Sequence, residues 1–192
     1  MQQLKLSCTR FGALAVALLL GALTVSVHAQ EPSAANDYGK KLPSPPAKAS
    51  VTLDDKAVTI DYSAPSLRGR HVGAELAPYD KVWRTGANAA TTLTTAVNLK
   101  IGDLSVPAGT YTIYSVPASE TPWKLIINKQ TKQWGTEYNQ GQDLGRIDMM
   151  KGPTPSAPVE QFSMKFEDTK GKKTQLHLIW ETTDVYVPVT AE

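Results

Sequence analysis

The chain has 192 residues, 41% of them hydrophobic and 20% charged, with a formal net charge of +2. The first 29 residues hold two of the 20 basic residues and none of the 18 acidic ones, so the 163 that follow are charge-balanced and give no electrostatic case for nucleic acid. Cys8, the only cysteine, lies in that leading stretch, so no disulfide supports the remainder and its apolar core must do so alone.

Residues 1–29 read as a secretory signal. Lys5 and Arg10 supply a positive n-region, and Phe11 to Leu23 form an apolar run shorter than the roughly 20 residues a membrane span needs. Val27-His28-Ala29 offers small residues for cleavage before Gln30, and Cys8 precedes the apolar run, so it is not placed as a lipid anchor. The expectation is export through the general secretory route to the periplasm or the medium, with no membrane span after cleavage. Residues 30–48 then read as a disordered Pro/Ser-rich linker. Glu31-Pro32-Ser33 and Pro43-Ser44-Pro45-Pro46 lack apolar periodicity and favour extended, solvated backbone.

Residues 49–190 are expected to form a single domain, and the pattern there is period two. Val58, Ile60 and Tyr62 alternate with polar residues. Leu93, Thr95, Val97, Leu99 and Ile101 form one continuous alternating run. Tyr111, Ile113 and Ser115 follow Pro107-Ala108-Gly109, and Leu125 and Ile127 follow Pro122-Trp123. Further on come Phe162 to Phe166, Leu176 to Trp180 and Val185 to Val189. Such alternation buries one face of an antiparallel sheet and wets the other. Turn chemistry separates the runs at Asp54-Asp55, Gly102-Asp103 and Lys170-Gly171, and Thr182-Thr183 marks a C-terminal hairpin. Pro153 to Pro158 form a rigid loop before the Phe162 strand. No segment carries a helical stripe. The expected fold is an all-β antiparallel sandwich of roughly nine or ten strands, with a closed barrel as the alternative.

The chemistry-bearing residues sit where alternation breaks. Arg68-Gly69-Arg70-His71 reads either as an anion-binding loop, since arginine offers a planar fork of donors, or as a solvated turn paired with surface carboxylates. In the run Val82 to Thr92, Val82 and Trp83 favour strand and place Arg84 at a strand end. Gly86 then permits a turn, and Asn88 either shapes that turn or faces a ligand. Lys129 and Trp134 belong to a second polar-aromatic cluster, in which the indole either stacks on a ligand ring or caps the core. Trp123 and Trp180 fall in strand patterns and read as core. Tyr111 and Tyr114 point to opposite faces, so only one is expected in the core.

Catalytic constellations are poor, and no catalytic residue is assigned. His71 and His177 are the only histidines beyond the leader, so no metal site is expected, and His177 falls on the polar face of its strand as a solvated histidine. No P-loop, dinucleotide fingerprint or nucleophile elbow is present, and no cofactor is expected.

Four ordered motifs carry a resemblance: Tyr62 to Arg70, Pro78 to Asn88, Pro107 to Tyr111, and Asn128-Lys129 through Gln133-Trp134-Gly135. With them the chain resembles a family of exported bacterial proteins, domain-of-unknown-function family 2911, over Ser44 to Val189. The resemblance implies an exported, β-rich domain with no assigned activity. The family often has an arginine where this chain has Ala64 and a glutamate where it has Ala89. Losing both suits an ion pair removed as a unit, since losing one alone would strand a buried partner. If those two residues make the family's chemistry instead, this member has lost it.

The function expected from these residues is an exported module binding a small polar, anionic or carbohydrate ligand. Its contacts would be Arg68, Arg70, Arg84, Asn88, Lys129 and Trp134. The alternatives are a hydrolase using Arg84 with His71 or a loop carboxylate, and a structural cell-envelope domain without a small ligand.

Overall fold

The computed structural model describes residues 43–192. The signal segment 1–29 and residues 30–42 of the linker lie outside the described residues. Among the described residues there are fourteen strands: β1 (Pro46–Leu53), β2 (Lys56–Ser63), β3 (Val72–Gly73), β4 (Leu76–Pro78), β5 (Thr91–Thr95), β6 (Leu99–Ile101), β7 (Leu104–Val106), β8 (Gly109–Val116), β9 (Lys124–Asn128), β10 (Asp143–Asp148), β11 (Met150–Lys151), β12 (Val159–Lys170), β13 (Lys173–Glu181) and β14 (Thr183–Ala191). The one helical element among the described residues is a 3-10 turn at Gln140–Gln142. β1 begins at Pro46, so the last residues of the stretch read as linker already belong to the sheet.

The strands form an antiparallel sandwich. One sheet has the order β1-β2-β5-β8-β9-β10, and the facing sheet has the order β12-β13-β14-β6-β7. β11 adds to β14 beyond the end of β6, pairing Met150 with Tyr186. The sheets stay separate and do not close into a barrel. The core lies between them, built from inward residues such as Val58, Ile60, Leu93, Ile113, Leu125 and Ile127 of one sheet and Phe162, Met164, Leu176, Leu178, Val187 and Val189 of the other. These are the apolar members of the alternating runs, so the pleat alone directs them inward.

The strand count exceeds the expected nine or ten for two reasons. β3, β4 and β11 have only two or three residues each, too short to show a period. The run from Leu93 to Ile101 is two strands: β5 pairs with β2 and β8 in one sheet, while β6 pairs with β14 and β7 in the other. Leu93, Leu99 and Ile101 all face the core, so alternation survives the crossing and conceals it. The crossing is fastened at Thr95, whose hydroxyl donates to the Val97 carbonyl at 2.6 Å and accepts from its amide at 3.2 Å.

The predicted turns form. Asp54 and Asp55 join β1 to β2 with Leu53 opposite Lys56, and both take left-handed φ values, 52° and 58°. That is the backbone of a two-residue hairpin, a conformation aspartate tolerates. Trp180 faces Thr183 across the C-terminal hairpin. Trp123 and Trp180 are core residues.

Two burial expectations are corrected. Tyr111 and Tyr114 do point to opposite faces, yet both are buried, at 8% and 1% exposure. Tyr111 joins the core, while Tyr114 is covered by the segment after β9: its hydroxyl donates to the Glu137 carbonyl, and its ring packs edge-on against Tyr138 at 4.9 Å. His177 is on the outer face of β13 but only 3% exposed. Its Nδ1 bonds Asp184 at 2.8 Å, its Nε2 bonds Gln175 at 3.1 Å, and its ring stacks on Tyr186. The chain after β11 returns over Asp184, with the Gly152 amide donating to the Asp184 carbonyl. An outer face counts as solvated only where no loop lies on it, and the period of a strand does not report loops.

Candidate functional site

The Val82–Thr92 run lies almost wholly outside the regular strands. Trp83 makes a lone antiparallel bridge to Ser115, its amide and carbonyl both bonding that residue, so the run extends the line of β5 for one residue and stops. Arg84 therefore follows a bridge, not a strand end. The chain then turns through Thr85 at φ 50°, Gly86 at φ 151° and Asn88 at φ 60°. Thr85 is fully buried, its hydroxyl donating to Ser115 Oγ at 2.9 Å and its carbonyl accepting from the Thr91 hydroxyl at 2.8 Å. A Cβ at Gly86 would come within 2.9 Å of Thr91 Oγ1 and 3.0 Å of the Ser63 carbonyl oxygen, so this place in the turn belongs to glycine.

Arg84 is held at two points. Its Nε donates to the Gly86 carbonyl at 3.3 Å, and its aliphatic stem lies on Gly135. It lines a cleft of about 440 Å³, together with Arg70, Glu75, Trp83, Tyr114 and Tyr138 among others. Trp83 stacks on Trp180 at 5.5 Å and meets Phe162 edge-on at 5.0 Å, so the cleft is floored by the aromatic end of the core. Arg84 forms no ion pair among the described residues.

The cleft's other polar groups are largely committed. Arg70 donates Nε to the Leu67 carbonyl and one terminal nitrogen to that of Ser66. The Tyr138 hydroxyl donates to Asp143 at 2.6 Å and accepts from Arg146 at 2.7 Å. Burial, with Asp143 beside it, pushes the Tyr138 phenol up to about 12. Trp180 gives its indole N–H to the Glu160 carbonyl. The tyrosines and Trp180 thus offer the cleft ring surface instead of donors. Glu75 accepts from the His71 amide at 3.2 Å, and backbone N–H groups hold its carboxyl below the usual glutamate value.

Arg84 and Arg70 line the cleft; the other four predicted residues do not. Two of those four hold its wall. Arg68 donates to the Pro43 carbonyl at 3.0 Å, and Asn88 donates to that of Ser44 at 3.3 Å; Pro43 and Ser44 both line the cleft. Trp134, 51% exposed, bridges Ala89 and precedes the lining residues Gly135 and Thr136. Lys129 is exposed on the same loop, and its amide bonds the Gln142 carbonyl. His71 turns away from the cleft to Glu181, with Nδ1 and Oε1 2.6 Å apart. The sequence offers no sign that Glu75, Tyr114 and Tyr138 line a site. Nothing in its period marks Glu75, and the tyrosines reach the cleft only because the segment after β9 folds back on Tyr114.

The motifs that frame this cleft span one family. The family described as protein of unknown function, DUF2911, matches residues 44–189. The chain belongs to it. No curated protein and no solved structure matches this DUF2911 domain. Among the described residues no helix is long and apolar enough to cross a membrane, and no group of three or more His, Cys, Asp or Glu side chains could hold a metal ion.

Proposed function

We propose that this DUF2911 domain is a binding module for a small anionic or polar ligand, sugars included, exported to the periplasm or the medium. One observation carries the reading. Arg84 is half-buried, fixed at its stem and Nε, without a carboxylate partner among the described residues, and it lines a cleft. A guanidinium withdrawn from water without a counter-charge is costly, and a ligand carboxylate or phosphate offsets that cost with paired, charge-assisted hydrogen bonds. The charges lining the cleft, Arg70 and Arg84 against Glu75, favour an anion.

The test is a thermal-shift screen of the purified protein against small carboxylates, phosphates, and neutral and acidic sugars, with Arg84→Ala alongside. A ligand that binds the native state raises the melting temperature. The expected result is a shift with acids that Arg84→Ala abolishes. A uniformly silent screen, with Arg84→Ala lowering stability, would favour a structural envelope domain instead. Export is checked separately, by fractionating the producing cell and sequencing the N-terminus of the recovered protein.

A further inference from the structure

We infer that the ligand of this cleft is a zwitterion with a flat apolar side chain, an aromatic α-amino acid or a peptide end that presents the same groups. The inference rests on the proposed binding role of Arg84 and deepens it. Three observations converge. The first is Arg84, whose terminal nitrogens make no hydrogen bond among the described residues. The second is Glu75, which lines the same cleft from a different loop and has no cationic side chain in ion-pair contact among the described residues. Its one side-chain hydrogen bond is to the His71 amide, and backbone N–H groups favour its ionised form. A simple anion drawn to Arg84 meets this carboxylate as a like charge. A ligand carrying an ammonium beside its carboxylate meets it as a partner.

The third observation is the remaining wall. The Tyr114 and Tyr138 hydroxyls and the Trp180 N–H are bonded within the protein. Leu76, Pro78 and Val82 add further apolar surface. That part of the wall favours a ring over a polyhydroxylated body, because hydroxyl groups placed against these rings and apolar side chains would lose water without gaining a donor from them. Aromatic faces also favour stacked or edge-on rings.

Isothermal titration of the full chain with four probes tests this. L-Phenylalanine has carboxylate, ammonium and ring; 3-phenylpropionate lacks the ammonium; phenethylamine lacks the carboxylate; L-alanine lacks the ring. L-Phenylalanine is expected to bind best. An exposed ion pair makes 3-phenylpropionate about three- to fivefold weaker. Glu75→Gln should erase that difference, since its amide oxygen still accepts from the His71 amide and the loop keeps its shape. If 3-phenylpropionate binds the parent protein as tightly as L-phenylalanine, the zwitterion is overturned while the anion-binding reading stands. If L-alanine matches L-phenylalanine, the ring is overturned. If no carboxylate binds, and Arg84→Ala changes nothing, both readings fall together.

Discussion

Gly135 lies directly on the stem of Arg84: a Cβ on the glycine would stand 2.7 Å from the arginine Cδ and 2.7 Å from the Asn88 carbonyl oxygen. The Gly135 amide donates to that same carbonyl at 3.0 Å. Two loops distant in sequence are pressed together at the one point where a side chain would part them, and the contact fixes the direction of Arg84. Gly135→Ala should therefore lose about 1–3 kcal/mol of stability in urea unfolding, as overpacked sites do. It should also weaken any binding that depends on Arg84. A variant as stable as the parent would show that the Asn88 carbonyl yields freely.

The buried His177–Asp184 pair predicts a different kind of loss. His177→Ala leaves the Asp184 carboxylate enclosed without its partner, which costs about 3 kcal/mol. Replacing both with leucine removes the charge together with its partner and should recover a large part of that loss. Urea unfolding of His177→Leu, Asp184→Leu and the double gives the coupling directly. A coupling near zero would mean that water takes the place of the imidazole.

His71 and Glu181 predict a pH dependence. The hydrogen bond and charge of Glu181 raise the His71 imidazole above its ordinary 6.5, and the hydrogen bond from His71 lowers the Glu181 carboxyl below its ordinary 4.5. The histidine's contribution to stability is complete below 6.5 and disappears as pH rises through the raised value. The glutamate's contribution is complete above 4.5 and disappears as pH falls through the lowered value. The stability gap between the parent and His71→Ala should therefore be widest between those two ordinary values and should narrow above neutrality. Melting curves across that range check it; a gap that widens with pH would contradict the assignment.

Ala64 and Ala89 test whether this member has lost an ion pair. Ala64 is buried at 3% exposure, with its amide bonded to the Pro45 carbonyl, while Ala89 is exposed. Ala64→Arg alone should cost about 1–3 kcal/mol, since a long charged side chain enters a closed site. Ala89→Glu alone should be nearly neutral. Together they should be more stable than their sum by at least about 0.5 kcal/mol. Strict additivity would remove the coupling.

Much of the fold was legible because it rests on the pleat. Val58, Ile60, Leu93, Ile113, Leu176 and Val187 face inward wherever alternation says they should. What the pleat leaves open is the assignment of a strand to its sheet, hence the hidden division between Thr95 and Leu99. It also leaves open what covers an outer face, hence the burial of Tyr114 and His177. The cleft was half legible. Arg84 and Arg70 announced themselves as charges at breaks in the pattern. Glu75 did not, because one acid in a polar loop has no period to violate. Arg68 and Asn88, expected as ligand contacts, do not line the cleft; their side chains donate to the Pro43 and Ser44 carbonyls in its wall.

The walls of the cleft come from opposite ends of the described chain, with Pro43 on one side and Trp180 on the other. During synthesis Pro43, Arg84 and Gly135 all leave the ribosome before Trp180 does. The cleft then lacks its floor until the penultimate strand has emerged and paired.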